Sequence, residues 1–277
     1  MAAFAIDKHS FGKTSDGREV FLYTLKNRNG MEVVISSFGG DVVSIKVPDR
    51  NGKVADVALG FDNLADYEKQ GPYFGALVGR YANRLANGSF TLDGKTYHVP
   101  QNDGSNALHG GKLGFDKRVW DAMESSDALG ERLHLHYLSK DGEEGFPGNL
   151  TVDVTYTLND ENELRIAYEA TTDKDTVLNL TNHTYFNLKG QGQGDVLNHE
   201  IMVNADRFTP VDKGLIPTGE LKNVAGTPFD LRKPTAIGAH IDDNDAQLKL
   251  ALGYDHNWVL NSSGKLALAV KVVEPAS

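Results

Sequence analysis

Hydrophobic and polar residues alternate along much of the chain with a period of two residues. Residues 150–158, LTVDVTYTL, carry an apolar side chain at every second position, and residues 164–172, LRIAYEATT, repeat the pattern after the polar turn NDENE. This alternation is typical of antiparallel strands that bury one face and leave the other in water. The two segments therefore predict a β-hairpin with one face in a core.

The same alternation predicts strands and hairpins along the rest of the chain, at 42–60, 89–99, 132–138 and 256–273. Two of these hairpins turn at Asn-Gly or Asp-Gly pairs, which favour tight β-turns. Helical patterns are limited to the short segments 62–71 and 234–243. Short strands at this spacing are typical of sandwiches and barrels. We therefore predict an all-β fold, a large antiparallel β-sandwich, with residues 1–277 in a single domain.

Composition and charge narrow the range of partners. The net charge of −10 makes binding to nucleic acid or to an anionic membrane surface unfavourable. The chain contains no cysteine, which excludes thiolate metal ligands and thiol nucleophiles. The first residues, MAAFAIDKHS, do not resemble a signal peptide, and no stretch reaches the roughly 18 apolar residues of a membrane span. We expect a cytoplasmic protein without a membrane partner.

One predicted strand carries more polar groups than a core strand needs. In VLNLTNHTYFNL, residues 177–188, the alternation places on one face Asn179, Thr181, His183 and Tyr185. Such a strip of amide, hydroxyl, imidazole and phenol groups suits a ligand with many hydroxyls. It equally suits an outer face in contact with water, and this strand alone leaves both interpretations open.

Other candidates are weak when each is taken alone. His109 is followed by two glycines in GSNALHGG, which let the backbone approach a ligand, but a solvated turn explains it better. Arg80 and Arg84 in GRYANR are expected to be surface charges, and Asp255 in YDHNW a turn former. Neither a carboxylate pair for glycoside cleavage nor a G-x-S-x-G motif is evident, which leaves histidines as the acid–base candidates.

A His-x-His pair lies on one face of the strand predicted at 132–138. His134 and His136 could be metal ligands, but no third ligand is spaced nearby in the sequence. The exposed face of an antiparallel sheet explains them better. We therefore expect no bound metal.

Several motifs, taken in order, resemble the galactose mutarotase (aldose 1-epimerase) family. They are GRYANRL, NALHGGKLGFDKRVW, TNHTYFNLKG, LIPTGE, GTPFDLRKP and GYDHNWVL. The similarity extends over nearly all of the chain, from ISSFGGDVVSIKVPDRNGK onward. It implies the mutarotase-like supersandwich, without cofactor or metal, in a monomer or homodimer. It also implies acid–base-catalysed ring opening that interconverts α and β anomers of aldohexoses such as galactose and glucose.

The resemblance also implies roles for individual residues. The histidine of the TNHTYFNL motif is His183, the general acid, and that of NALHGG is His109, which holds and polarises the sugar. Substrate contacts are implied for Asn83, Arg84, His109, Tyr185 and Asp255.

The chain departs from the family pattern near its C-terminus. The family has a general-base glutamate and a glutamine sugar contact in strands that follow the segment LALAVKVVEPAS, and Glu274 does not match the motif of that base. We therefore expect the domain to be C-terminally incomplete. Two alternatives follow: a non-catalytic sugar-binding protein on the same scaffold, or a relative of the hexose-phosphate epimerases, for which GRYANR is the one basic motif in support.

Overall fold

The structure is a computed structural model that describes residues 6–69, 71–127, 130–262 and 264–277. These residues cluster into two compact units. The first comprises the described residues up to Phe186 together with Gly190–Gly192, and the second comprises Asn187–Lys189 and Gln193–Ser277. The organisation of the chain as a single domain stays a prediction.

Strands dominate the first unit. They are β1 (Asp7–Lys13), β2 (Glu19–Lys26), β3 (Glu32–Ser36), β4 (Val42–Pro48), β5 (Val54–Asp56), β6 (Leu77–Val78), β7 (Arg84–Leu85), β8 (Ser89–Leu92), β9 (Lys95–His98), β10 (Ala107–Leu108), β11 (Asp121–Asp127), β12 (Gly130–Ser139), β13 (Leu150–Leu158), β14 (Leu164–Thr172) and β15 (Thr181–Asn182). The described helical segments of this unit are α1 (Leu64–Glu68) and the 3-10 turns Ala86–Gly88, Phe115–Lys117 and Glu143–Gly145.

The second unit is also built mainly from strands. They are β16 (Glu200–Val203), β17 (Ala205–Thr209), β18 (Lys222–Asn223), β19 (Thr235–Ala236), β20 (Asn257–Leu260) and β21 (Val270–Val273). Its described helical segments are the 3-10 turn Ile237–Ala239 and α2 (Ala246–Ala251). The prediction of an all-β fold is confirmed. None of the helices in the described ranges combines the length and apolar character needed to cross a membrane.

Two antiparallel sheets form the core of the first unit, in the strand orders β1-β2-β3-β4-β5 and β11-β12-β13-β14. Along β13, residues at every second position from Leu150 to Leu158 are buried, as the alternation predicts. Hydrogen bonds join the two sheets. The backbone N–H of Lys26 in β2 donates to a carboxylate oxygen of Glu131 in β12 at 2.6 Å, and the Tyr156 hydroxyl donates to the carbonyl of Gly40 at 2.9 Å.

Three of the predicted hairpins are confirmed: β4–β5, β8–β9 and β13–β14 pair within 42–60, 89–99 and 150–172. The hairpin predicted from 256 to 273 is wrong, because β20 pairs with β17 and β21 pairs with β16. The break lies at Asn204, between β16 and β17. Its N–H donates to the carbonyl of Ala269 at 2.8 Å, and its carbonyl accepts from the N–H of Asn261 at 2.9 Å. The consecutive strands β16 and β17 therefore pair with two different strands, β21 before Asn204 and β20 after it.

The helix predicted at 234–243 is also wrong. This segment forms β19 and the single 3-10 turn that follows it. The helix of the region, α2, begins later, where the Asp245 side chain accepts hydrogen bonds from the N–H groups of Gln247 and Leu248. That arrangement caps the first turn of a helix and fixes its start.

Candidate active site

Two short ladders in the first unit position the predicted histidines. In one, β15 pairs with β6, and in the other, β10 pairs with β7. Each ladder is two residues long, so side-chain hydrogen bonds and glycine contacts determine the local conformation as much as the strands do.

His183 directly follows β15 and is held by its backbone. Its N–H donates to the carbonyl of Ala76 at 2.9 Å, and its carbonyl accepts from the N–H of Gly75 at 3.1 Å. The neighbouring Asn182 side chain donates to the Gly75 carbonyl at 2.8 Å and accepts from the Thr184 hydroxyl at 2.5 Å. Asn182 and Thr184 therefore stabilise the backbone around the half-buried His183 ring.

The long strand predicted over 177–188 is not formed as a regular ladder. Within it, strand structure is confined to β15, with single bridges from Asn179 to Tyr81 and from Phe186 to Ala58. The polar side chains of this segment thus complete backbone pairing that regular strand neighbours would otherwise supply.

His109 exchanges two hydrogen bonds with Asn83. The N–H of His109 donates to the carbonyl of Asn83, and the N–H of Asn83 donates to Nδ1 of the His109 ring, each at 3.0 Å. Burial, together with the nearby His183 and Arg84, lowers the pKa of His109 to about 3. The ring is therefore neutral at pH 7, and because Nδ1 accepts, its proton lies on Nε2.

Three residues around this site have left-handed backbones. The φ angles are 60° at Tyr73, 62° at Asn83 and 53° at His109. Such angles are unfavourable for large side chains and concentrate at functional sites. Gly110, the next residue, has φ 91°, and a Cβ atom there would lie 2.0 Å from the carbonyl oxygen of Gly79. The turn that presents His109 therefore needs glycine at this position.

The two histidine rings lie at the centre of an aromatic cluster. The ring centroids of His109 and His183 are 5.0 Å apart and edge-on. Tyr73 lies 4.6 Å from His109 and 5.9 Å from His183, and Tyr185 lies 5.0 Å from His183. Phe74 extends the cluster, 5.4 Å from Tyr185. Burial raises the pKa of Tyr73 to about 12, so its hydroxyl is protonated at neutral pH.

Arg84 is half-buried and held at two points. Its Nε donates to a carboxylate oxygen of Asp103 at 2.7 Å, and its backbone N–H donates to the Asn83 side chain at 2.8 Å. With Nε bound to Asp103, the two terminal nitrogens of the guanidinium remain as donors toward a ligand. The expectation that Arg84 is an ordinary surface charge is wrong, because 13% of its side chain is exposed.

Arg80 was also expected at the surface and is instead 2% exposed. Its guanidinium donates to the carbonyls of Pro147 and Gly148 at 2.8 and 3.0 Å and to the Ser139 hydroxyl at 2.7 Å. Burial lowers its pKa. Arg80 thus ties the GRYANR segment to the end of β12 and to the loop that joins β12 to β13.

Asp255 belongs to the second unit, where it is exposed just before β20. Its neighbours anchor the segment: the Tyr254 hydroxyl donates to Pro228 at 2.9 Å, and Nε2 of the buried His256 lies 3.2 Å from a side-chain oxygen of Gln247. The structure therefore brings together five of the six predicted site residues, namely Asn83, Arg84, His109, His183 and Tyr185. The role of Asp255 as a sugar contact stays a prediction.

Sequence reasoning missed three residues of this cluster: Tyr73, Phe74 and Asp103. The available signal for the first two is an aromatic pair between glycines, GPYFG, next to a strand. Asp103 has no comparable signal, because its contact with Arg84 depends on the pairing of β7 with β10.

Comparison with known proteins identifies the family. A family model described as aldose 1-epimerase matches residues 22–277. Galactose mutarotase of Rattus norvegicus is 44% identical over 274 residues, which cover 99% of this chain and 77% of the relative. Aldose 1-epimerase of Escherichia coli (strain K12) is 43% identical over 249 residues, which cover 90% of this chain and 70% of the relative.

Solved structures agree with the sequence comparisons. Galactose 1-epimerase from Lactobacillus acidophilus NCFM has a TM-score of 0.85 and 32% identity, and the match covers 98% of this chain and 78% of that one. An aldose epimerase homologue from C. elegans has a TM-score of 0.79 and 31% identity, with coverage of 92% and 75%. The chain belongs to the aldose 1-epimerase family.

Proposed function

We propose that this chain is an aldose 1-epimerase that interconverts the α and β anomers of aldohexoses such as galactose and glucose. Relatives named galactose mutarotase and aldose 1-epimerase support the activity. The observation that carries it is the edge-on pair of His109 and His183, 5.0 Å apart, beside Arg84. The two alternatives, a non-catalytic sugar-binding protein and a hexose-phosphate epimerase, are not favoured by these relatives.

The reaction requires two proton transfers. One proton leaves the anomeric hydroxyl and another reaches the ring oxygen, after which the C1–O5 bond breaks and the C1–C2 bond rotates. Ring closure reverses both transfers. Positioned acid–base groups typically contribute about 10²–10⁴-fold to such steps.

We assign the proton donor for the ring oxygen to His183. Imidazole suits this role because it exchanges protons near neutral pH. A second positive charge on His109 would oppose protonated His183 by about 3 kcal/mol, taking 5.0 Å and an effective dielectric constant of about 20. Because burial keeps His109 neutral, that repulsion is absent, and the Nε2–H of His109 donates to a sugar oxygen.

The remaining residues bind and orient the sugar. Asn83 and the terminal guanidinium nitrogens of Arg84 contact hydroxyls, while Tyr73 and Tyr185 pack against the C–H groups of the pyranose ring. Asp255 is assigned to hydroxyl contacts on the strength of its GYDHN motif. Orientation of the sugar lowers the barrier in its own right. Glu274, whose carboxylate accepts from the N–H of Ala276 at 2.9 Å, is not assigned as the base.

Polarimetry tests the proposal. Freshly dissolved α-galactose or α-glucose should reach anomeric equilibrium faster with the chain than in buffer, and His183→Ala should abolish the acceleration. His98→Ala is the matched control, because His98 is an exposed histidine on β9 in the same unit. A folded chain that gives no acceleration would contradict the enzyme proposal. A change in tryptophan fluorescence on adding sugar, without faster anomeric equilibration, would support the non-catalytic sugar-binding alternative.

The cytoplasmic location and the monomeric or homodimeric state stay predictions.

A further inference from the structure

The outward face of β12 and β13 carries a cluster of metal-ligating side chains. His134 and His136 alternate along β12 with buried leucines, and the register places Asp153 of β13 directly opposite His136. One carboxylate oxygen of Asp153 lies 3.1 Å from Nε2 of His134 and 2.8 Å from Nδ1 of His136. The three ligand atoms all lie within 4.8 Å of one another.

We infer that His134, His136 and Asp153 bind one divalent metal ion of the same type as Zn²⁺ or Co²⁺. Zinc binds imidazole nitrogen and carboxylate oxygen at about 2.0–2.2 Å, which puts two ligands of a tetrahedral site roughly 3.3 Å apart. The two distances from Asp153 to the histidine nitrogens, 3.1 and 2.8 Å, need to lengthen by at most about half an ångström to reach that value. Two imidazoles select zinc, cobalt or nickel over magnesium and calcium.

This proposal revises the expectation of no bound metal. That expectation rested on the lack of a third ligand near the His-x-His pair in sequence. Asp153 comes 17 residues after His136, and only the antiparallel register of β12 and β13 brings it alongside.

Two features of the surroundings favour a cation. Asp121 of β11 pairs with His136, and Glu169 of β14 pairs with Asp153, so acidic residues flank the cluster on both sides. Residues directly opposite each other in antiparallel strands share a face. Met123 opposite His134 and Ala167 opposite Thr155 are uncharged, and the basic residues of this face, Arg132 and Arg165, lie two residues further along β12 and β14.

A further contact orients one ligand. Nδ1 of His134 lies 3.3 Å from the hydroxyl of Thr155, while Nε2 of the same ring faces Asp153. Metal-binding histidines usually use their second nitrogen in this way, which fixes the ring for coordination. The ligand side chains are 33%, 43% and 32% exposed, so water can complete the coordination shell.

The test is titration of the full chain with Co²⁺ alone, followed by visible absorption and then by displacement with Zn²⁺. We expect one equivalent to bind. His134→Gln, His136→Gln and Asp153→Asn should each weaken binding about 100-fold, and Thr155→Val about tenfold.

His240→Gln is the matched control. Nδ1 of His240 lies 3.0 Å from a carboxylate oxygen of Asp243 at a similarly exposed site in the second unit, so this pair resembles the cluster but lacks a second histidine. The His240→Gln variant should bind Co²⁺ with the same affinity as the unaltered chain. The proposal would be overturned if all three ligand variants bound Co²⁺ as tightly as the unaltered chain does, or if His240→Gln lost binding.

A second measurement needs no variant. Substoichiometric Co²⁺ should broaden the imidazole NMR signals of His134 and His136 before those of the other histidines. Uniform broadening, or broadening centred on another histidine, would also overturn the site.

Discussion

The neutral state of His109 should appear as a loss of stability in acid. Burial lowers the pKa of His109 to about 3, whereas the ordinary value of 6.5 applies in the unfolded chain. The unfolded state therefore binds more protons between these values, and the free energy of unfolding falls as the pH drops from about 6.5 towards 3. His183 and Arg84 face the ring and oppose its protonation, while Asp103 favours it.

The magnitude is well defined at pH 5. At pH 5 a histidine with a folded pKa near 3 is almost unprotonated, whereas the unfolded histidine is protonated. The free energy of unfolding therefore falls by an amount set by the difference of about 1.5 units between pH 5 and the unfolded pKa of 6.5. At about 1.36 kcal/mol per unit this is about 2 kcal/mol.

The assay compares urea unfolding at pH 7.5 and pH 5.0 for the unaltered chain and for His109→Asn. Asparagine tolerates the left-handed φ of 53° and offers an oxygen in place of Nδ1, but it does not titrate. Other histidines whose pKa is lowered, His199 and His256, contribute equally to both chains. The unaltered chain should lose about 2 kcal/mol more than the variant. Equal losses in both chains would contradict the lowered pKa of His109.

Three further predictions concern the supports of the site. Arg80→Met should lower the free energy of unfolding by about 3–5 kcal/mol in urea, because buried carbonyls lose their donor; a loss below about 1 kcal/mol would contradict this. Gly110→Ala should reduce kcat/KM at least about tenfold, whereas Gly104→Ala, also at positive φ but with open space around it, should not. Asp103→Asn should raise KM about fivefold, which corresponds to about 1 kcal/mol of binding free energy, because Arg84 loses its partner. A fivefold fall in kcat instead would argue against a binding role for Arg84.

Alternation along the chain predicted much of the first unit because it is a local property. The hairpins at 42–60, 89–99 and 150–172 each bring together strands that are adjacent in sequence. The last hairpin could not be predicted in this way. Its two strands pair with different segments on either side of Asn204, and that choice depends on hydrogen bonds between residues far apart in sequence.

The same distinction applies to the candidate site. His109 and His183 were identified because the motifs that contain them, NALHGG and TNHTYFNL, resemble motifs of the family. Tyr73 carries the weaker signal of the GPYFG segment, whereas Asp103 joins the cluster through a contact that no local pattern encodes. Asp153 is the third case, since its position beside the His-x-His pair follows from sheet register alone.

The break at Asn204 constrains how this region can evolve. Because β21 and β20 pair in succession along β16 and β17, one inserted residue near Asn204 would displace one partner strand relative to the other. Side chains that are buried, such as Val203 and Ala205, would then exchange faces with exposed neighbours. Substitutions that keep the pattern of size and polarity can accumulate here, whereas insertions and deletions cannot. Segment length is therefore the property that descendants of this chain must inherit.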